Sequence, residues 1–246
     1  MTNRLRLLQL IKLLDVTRLD DNDDAKQMAE WLKQQPRLPV PIAAYCVYPD
    51  YLGQLAKFGV DSERAFALAT VVNFPEGEMP LAVVCQQIST ALAAGATEID
   101  CVMPYQALLR GEHQYVSDFL TEVRRCCGHA CLKVIIESGE LITAQQVAKA
   151  TEIAIDCGAD FVKSSTGKVA VGITEEAARI MLTIIAAAGR PVGFKASGGV
   201  RTIAQALQLV DLYEHITGVT ATSTTMRIGA SALVTELAEH LNTVTD

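Results

Sequence analysis

Apolar residues fall into two alternating patterns along the chain. Leu7, Leu10, Ile11 and Leu14 recur at intervals of three and four, which predicts a helix over 4–14. Short apolar runs bounded by Pro, Gly or polar residues predict strands over 13–17, 42–49, 66–73, 98–103, 132–137 and 225–229, and strands ending at Lys163 and Lys195. Helical spacing returns over 24–34, 50–58, 80–94, 115–126, 144–157, 175–188, 203–212 and 232–241. Asn22 and Asp23 are suited to cap the helix over 24–34, Pro36 ends it, and Trp31 belongs to its core-facing side. Gly95 and Gly158 stand just past the ends of two others.

Strand and helix alternate throughout. The candidate strand ends are Asp15, Cys46, Asn73, Asp100, Glu137, Lys163, Lys195 and Gly229. Their spacing runs from 26 residues (Glu137 to Lys163) to 37 (Asp100 to Glu137). Eight such units predict an α/β fold of the closed (β/α)8 TIM-barrel type, here with an extra N-terminal helix. An open doubly wound sheet is the alternative, but the count and the regular spacing favour closure. No Pro/Ser/Gly-rich linker divides the chain, so residues 1–246 read as one domain.

Successive side chains on a strand point to opposite faces. On the fourth strand Glu98, Asp100 and Val102 oppose Ile99 and Cys101; on the fifth Lys133, Ile135 and Glu137 oppose Leu132, Val134 and Ile136. On the seventh Gly193 and Lys195 oppose Val192 and Phe194, and on the eighth Arg227 and Gly229 oppose Met226 and Ile228. In a barrel the apolar face meets the helices, so the charged face points inward. Asp15, Glu98, Asp100, Lys133, Lys163, Lys195 and Arg227 are then expected to converge. Buried charges must pair or titrate. Glu98 and Arg227 fit a structural ion-pair network, but charges gathered at the C-terminal ends of barrel strands mark a candidate active site.

Two stretches share one design. Asp160-Phe161-Val162-Lys163-Ser164-Ser165-Thr166-Gly167-Lys168 and Val192-Gly193-Phe194-Lys195-Ala196-Ser197-Gly198-Gly199-Val200-Arg201 each run strand, lysine, small-residue turn, cation. A single strand-end lysine could snorkel to solvent. Two on successive strands would repel, lowering the pKa of one and leaving free amine, the nucleophile that forms a Schiff base with a carbonyl. Chemistry alone does not rank Lys163 above Lys195. The turns Ser165-Thr166-Gly167-Lys168, Ser197-Gly198-Gly199-Val200-Arg201 and Gly229-Ala230-Ser231 offer unobstructed N–H groups and two cations, suited to an oxyanion such as phosphate. Plain turn formation is the simpler reading of their glycines. Thr166-Gly167-Lys168 is not a P-loop, since Val169 replaces the Ser/Thr and residue 162 is Val rather than Gly.

The net charge of −7 offers no basic field for nucleic acid or anionic membrane, so neither is an expected partner. Seven cysteines, odd in number and irregular in spacing, suggest a reduced intracellular protein. Cys126, Cys127, His129 and Cys131 lack a paired C-x-x-C spacing, and no metal is expected there. Arg4, Arg6 and Lys12 interrupt the leucine-rich start, which argues against a signal peptide, and no apolar run reaches the roughly 18 residues of a membrane span. A cytoplasmic protein is expected.

The motifs Leu132-Lys133-Val134-Ile135-Ile136-Glu137, Phe161 to Lys168, Gly193 to Thr202 and Arg227-Ile228-Gly229-Ala230-Ser231 resemble those of the 2-deoxyribose-5-phosphate aldolases. Leu14-Asp15-Val16-Thr17, Ala44-Tyr45-Cys46-Val47-Tyr48-Pro49 and Glu98-Ile99-Asp100 extend the likeness over nearly the whole chain. The resemblance implies a class I aldolase acting on a sugar phosphate and aldehydes in deoxynucleoside catabolism, without metal or cofactor; a homodimer is left open. It implies Lys163 as the Schiff-base lysine, with Lys195 beside it and Asp100 in proton transfer. Gly167, Lys168, Gly198, Gly199, Arg201, Gly229 and Ser231 would hold the phosphate, with Asp15, Cys46, Lys133 and Thr166 in support. Two departures stand out: Ala232 replaces a second serine of some members, and 242–246 lack the terminal tyrosine of some members.

Overall fold

The computed structural model describes residues 3–243. Eight parallel strands close into a barrel in sequence order: β1 (Leu14–Arg18), β2 (Ala44–Val47), β3 (Ala67–Val72), β4 (Glu98–Val102), β5 (Cys131–Ile135), β6 (Phe161–Lys163), β7 (Gly193–Ser197) and β8 (Met226–Ala230). Around them lie α1 (Asn3–Lys12), α2 (Ala25–Lys33), α3 (Leu52–Ser62), α4 (Leu81–Ala93), α5 (Tyr105–Leu109), α6 (His113–Cys127), α7 (Ala144–Asp156), α8 (Glu175–Ala187), α9 (Ile203–Thr217) and α10 (Leu233–Thr243). The fold is a TIM barrel with α1 placed before the first strand. Among the described residues no helix is long and apolar enough to cross a membrane.

Strand register sorts the side chains as period-two alternation requires. Asp100 is level with Lys133, Ile135 with Lys163, Lys163 with Lys195, and Lys195 with Arg227. The other face carries Val134, Val162, Phe194 and Met226, each level with the next and fully buried beneath the helices. A buried side chain of this size contributes about 1.5–3 kcal/mol, so a register slip, which would turn the charged set outward against the helices, is strongly disfavoured.

Local sequence fixes several helix starts. Asp24, Thr143 and Thr202 each form a capping box with a glutamine three residues on, and Thr174 caps α8. Asp24 therefore caps α2 in place of Asn22 or Asp23, because Asp23 is taken by the Arg18 guanidinium (Nε to Oδ2, 2.6 Å). Trp31 is half-buried rather than in the core; Tyr45 meets its ring edge-on at 5.8 Å and Arg18 lies over it. α3 and α9 run past their expected ends to Ser62 and Thr217, and stop at Glu63 and Gly218 in left-handed conformations. α5 was not anticipated, its five residues being too few to show a period. The terminal segment lacking a tyrosine lies, from 244 onward, outside the described residues.

Candidate active site

The inward charges of six strands meet in one buried network. Lys133 Nζ lies 2.5 Å from Glu98, 2.8 Å from Asp100 and 3.4 Å from Asp15. Lys195 Nζ lies 2.7 Å from Asp100 Oδ2 and 2.6 Å from Asp15 Oδ2, the latter a charge contact off the line of an aligned hydrogen bond. Lys163 Nζ reaches only Asp100 Oδ2, at 2.8 Å. Arg227 forms the lower layer, on Asp15 at 2.6 Å and Glu98 at 2.9 Å with its guanidinium over the Phe161 ring.

Four cations face three carboxylates here, so one positive charge is in excess. Lys133 touches three of the carboxylates, Lys195 two and Lys163 one. Lys163 therefore loses its proton most readily. Its pKa is lowered, first by burial and then by the charge of Lys195, against the pull of Asp100. Burial also pulls Lys195 down, but Asp100 and Asp15 override it and leave its pKa raised. Lys133 is treated the same way by Asp100, Asp15 and Glu98 and lies well above its ordinary value. The two lysines that sequence left unranked are thus distinguished by Asp15, on a strand at the far end of the chain.

Above the network a cavity of about 330 Å³ opens at the C-terminal ends of β6, β7, β8 and β1. Lys163 is the only one of the four network cations in its lining. Thr166, Gly167, Lys168, Gly198, Gly199, Arg201, Gly229 and Ser231 line it too, so all three small-residue turns meet at one mouth. The turns are stitched together: Ser164 Oγ donates to Ser197 O at 2.9 Å, and Ser197 Oγ to Ser165 O at 2.6 Å. Gly198 has φ +84, and a Cβ there would stand 2.9 Å from Ser165 Cβ. Arg201 is exposed, whereas the Lys168 ammonium is held 2.8 Å from Asp21, which also accepts the Tyr48 hydroxyl.

Residues 10–232 match a family described as DeoC/LacD family aldolase, in one stretch that spans most of the barrel. The chain belongs to the DeoC/LacD family of aldolases. Among solved structures it is similar to QR15, an aldolase, with 26% identity and a TM-score of 0.82 over 97% of this chain and 100% of that one. A Toxoplasma gondii ME49 protein provisionally assigned as a deoxyribose-phosphate aldolase gives a TM-score of 0.90 at 21% identity, covering 99% of this chain and 98% of its own. The deoxyribose phosphate aldolase of Aeropyrum pernix, described as tetrameric, gives 0.75 at 23% identity with both chains fully covered. At these last two identities the likeness speaks to the fold.

In this aldolase Cys46 is buried beneath the cavity with its sulfur 4.0 Å from Asp100 Oδ2, and burial followed by that carboxylate raises its thiol pKa. The outer cysteines correct the sequence expectation of a wholly reduced chain. Cys126 does not gather with Cys127, His129 and Cys131; it is joined in a disulfide to Cys85 across α4 and α6, Cα atoms 5.8 Å apart. Among the described residues the one group spaced for a metal is Cys85, Glu122 and Cys126, whose sulfurs are bonded to each other and whose carboxylate holds Arg125. Sequence reasoning missed Asp21 and Tyr48, which engage Lys168, and the role of Glu137, which bonds to Thr166. Asp21 carries no sequence signal for this, since its partner is 147 residues away.

Proposed function

We propose that this aldolase works through a Schiff base on Lys163 and reversibly cleaves 2-deoxy-D-ribose 5-phosphate to acetaldehyde and D-glyceraldehyde 3-phosphate, in deoxynucleoside breakdown. One observation carries the reading: of the buried cations, the least compensated is the one that lines the cavity. A neutral amine at that place can attack the aldehyde carbon of the open-chain sugar. Loss of water gives a protonated imine. The C2–C3 bond then breaks as a base removes the proton of the C3 hydroxyl, and the bonding pair moves into the imine to form an enamine. Glyceraldehyde 3-phosphate leaves, the enamine takes a proton at C2, and hydrolysis releases acetaldehyde and the amine.

Asp100 suits the proton transfers, because its Oδ2 contacts both Lys163 and Lys195. The turns at Gly167-Lys168, Gly198-Gly199-Arg201 and Gly229-Ser231 are read as the phosphate cradle, where clustered N–H groups and the start of α10 favour an anion. A single-domain enzyme over 1–246 in the cytoplasm is part of the same reading. The irregular cysteine spacing supports that location, and the Cys85–Cys126 pair pulls the other way.

The test is borohydride reduction in the presence of acetaldehyde, followed by peptide mass mapping. A two-carbon adduct on Lys163 is expected. An adduct on Lys195 would reverse the two roles, and no lysine adduct would end the Schiff-base reading.

A further inference from the structure

Glu137 follows β5 by two residues and is fully buried, with φ +51. Non-glycine residues seldom adopt that left-handed conformation, and those that do concentrate at functional sites. Among the described residues no lysine or arginine stands within ion-pair distance of its carboxylate. Its partner is Thr166 instead: the Thr166 N–H donates to Oε1 at 3.2 Å and Oε2 at 3.3 Å, and the Thr166 hydroxyl donates to Oε2 at 2.5 Å. Thr166 Oγ1 in turn accepts the Lys168 N–H at 3.0 Å. The hydroxyl hydrogen is thus committed to Glu137, which orients the oxygen toward Lys168. The neighbouring residue adds a second clamp, since Ser138 N–H donates to Ser164 O at 2.8 Å. A buried carboxyl with no cation in contact is expensive to keep ionised, and burial raises the pKa of Glu137 against the opposing Thr166 bonds and the more distant charge of Lys163. Such a group is out of place in a merely structural turn.

We propose that Glu137 is a positioning residue which, through Thr166, sets the Gly167–Lys168 turn against the substrate phosphate and so governs preference for phosphorylated over unphosphorylated substrate. The inference rests on the reading of the cavity as a phosphate subsite. Glu137 touches no reacting atom; it acts on binding, so its effect is confined to KM for substrates that carry the phosphate.

The experiment compares 2-deoxyribose 5-phosphate with 2-deoxyribose in Glu137→Ala, Glu137→Gln and Thr166→Val. Glu137→Ala is expected to raise KM for the phosphorylated sugar tenfold or more, with kcat changed less than threefold and kcat/KM for the unphosphorylated sugar changed less than threefold. Glu137→Gln keeps an acceptor and recovers most of the affinity. Thr166→Val, which keeps the volume and removes the hydroxyl, reproduces the KM rise and carries the test if Glu137→Ala does not fold. Equal losses on both sugars, or an unchanged KM for the phosphorylated one in Thr166→Val, overturn the proposal. If the unaltered enzyme fails to cleave 2-deoxyribose 5-phosphate, the functional reading falls and takes this inference with it. Cleavage by the unaltered enzyme with no KM split in the variants sinks the inference alone.

Discussion

Lys163 and Lys195 donate to the same carboxylate oxygen, Asp100 Oδ2, at 2.8 and 2.7 Å from register-paired positions on β6 and β7. Lys133 takes the other oxygen of Asp100, and one anion shared by three ammonium groups cannot fully compensate them all. Lys195 has Asp15 as a second partner, which with Asp100 raises the Lys195 pKa against burial; the charge of Lys195 in turn adds to burial in lowering the pKa of Lys163.

Replacing Lys195 by methionine should therefore raise the Lys163 pKa. A lysine with a lowered pKa is active from a lower pH, so the rising limb of the pH–rate profile should move toward higher pH in Lys195→Met. With the proton-transfer role proposed for Lys195 also lost, kcat is expected to drop by about 10²-fold or more. The rate of borohydride trapping against pH measures the limb without the cleavage step. A limb that stays in place would show that burial alone sets Lys163.

Asp15 is the anion that joins the two layers of the network. It lies 2.6 Å from Arg227 and from Lys195, and 3.4 Å from Lys133. Burial alone would raise its pKa, but Lys195, Lys133 and Arg227 outweigh burial and lower it. Asp15→Asn strands those cations and should cost about 3–5 kcal/mol, visible in calorimetry as a Tm lower by about 10 °C. The pH sign follows from the lowered pKa. This stabilisation is full above the unfolded carboxyl's ordinary value and fades as pH falls through the folded one. Asp15→Asn should thus lose less stability than the unaltered protein on acidification.

The fold and much of the site were legible because period-two alternation is a strong signal wherever charge and apolar residues interleave, as in Glu98-Ile99-Asp100-Cys101 and Met226-Arg227-Ile228. That pattern alone predicts which side chains meet inside the barrel. It could not rank Lys163 against Lys195, because both stand in the same local motif and the difference comes from Asp15 on β1. Nor could it show that Glu137 leaves the strand in a left-handed turn, since no glycine marks the place. The Lys168–Asp21 and Cys85–Cys126 pairs are equally silent, being long-range contacts between single residues.

Gly198 tests how tightly the lysine turns are packed. Besides φ +84, an added Cβ would lie 2.9 Å from Ser165 Cβ and 3.0 Å from Gly172 Cα, and neither neighbour is a flexible side-chain end. Gly198→Ala should cost about 1–3 kcal/mol from the backbone conformation, with further loss from the clash. Because the turn must open between β6 and β7, KM for phosphorylated substrate should rise as well. Chemical denaturation and steady-state kinetics on one preparation check both; stability falling with KM unchanged would separate this turn from substrate binding.

The disulfide makes a prediction that is independent of the site. Cys85 on α4 and Cys126 on α6 enclose a loop 41 residues long that contains β4 and α5. Closing a loop of that length restricts the unfolded chain by about 4 kcal/mol in the chain-entropy account. Reduction, or Cys85→Ser, should lower stability by up to about that amount. Both sulfurs lie among the outer helices and the candidate site lies inside the barrel, so kcat/KM at 25 °C should be unchanged. Alkylation after unfolding without reductant should find five thiols, those of Cys46, Cys101, Cys127, Cys131 and Cys157, and the full seven once reductant is added. Seven reactive thiols before reduction would mean that the pair stands open in solution, and the stability loss on Cys85→Ser should then vanish with it.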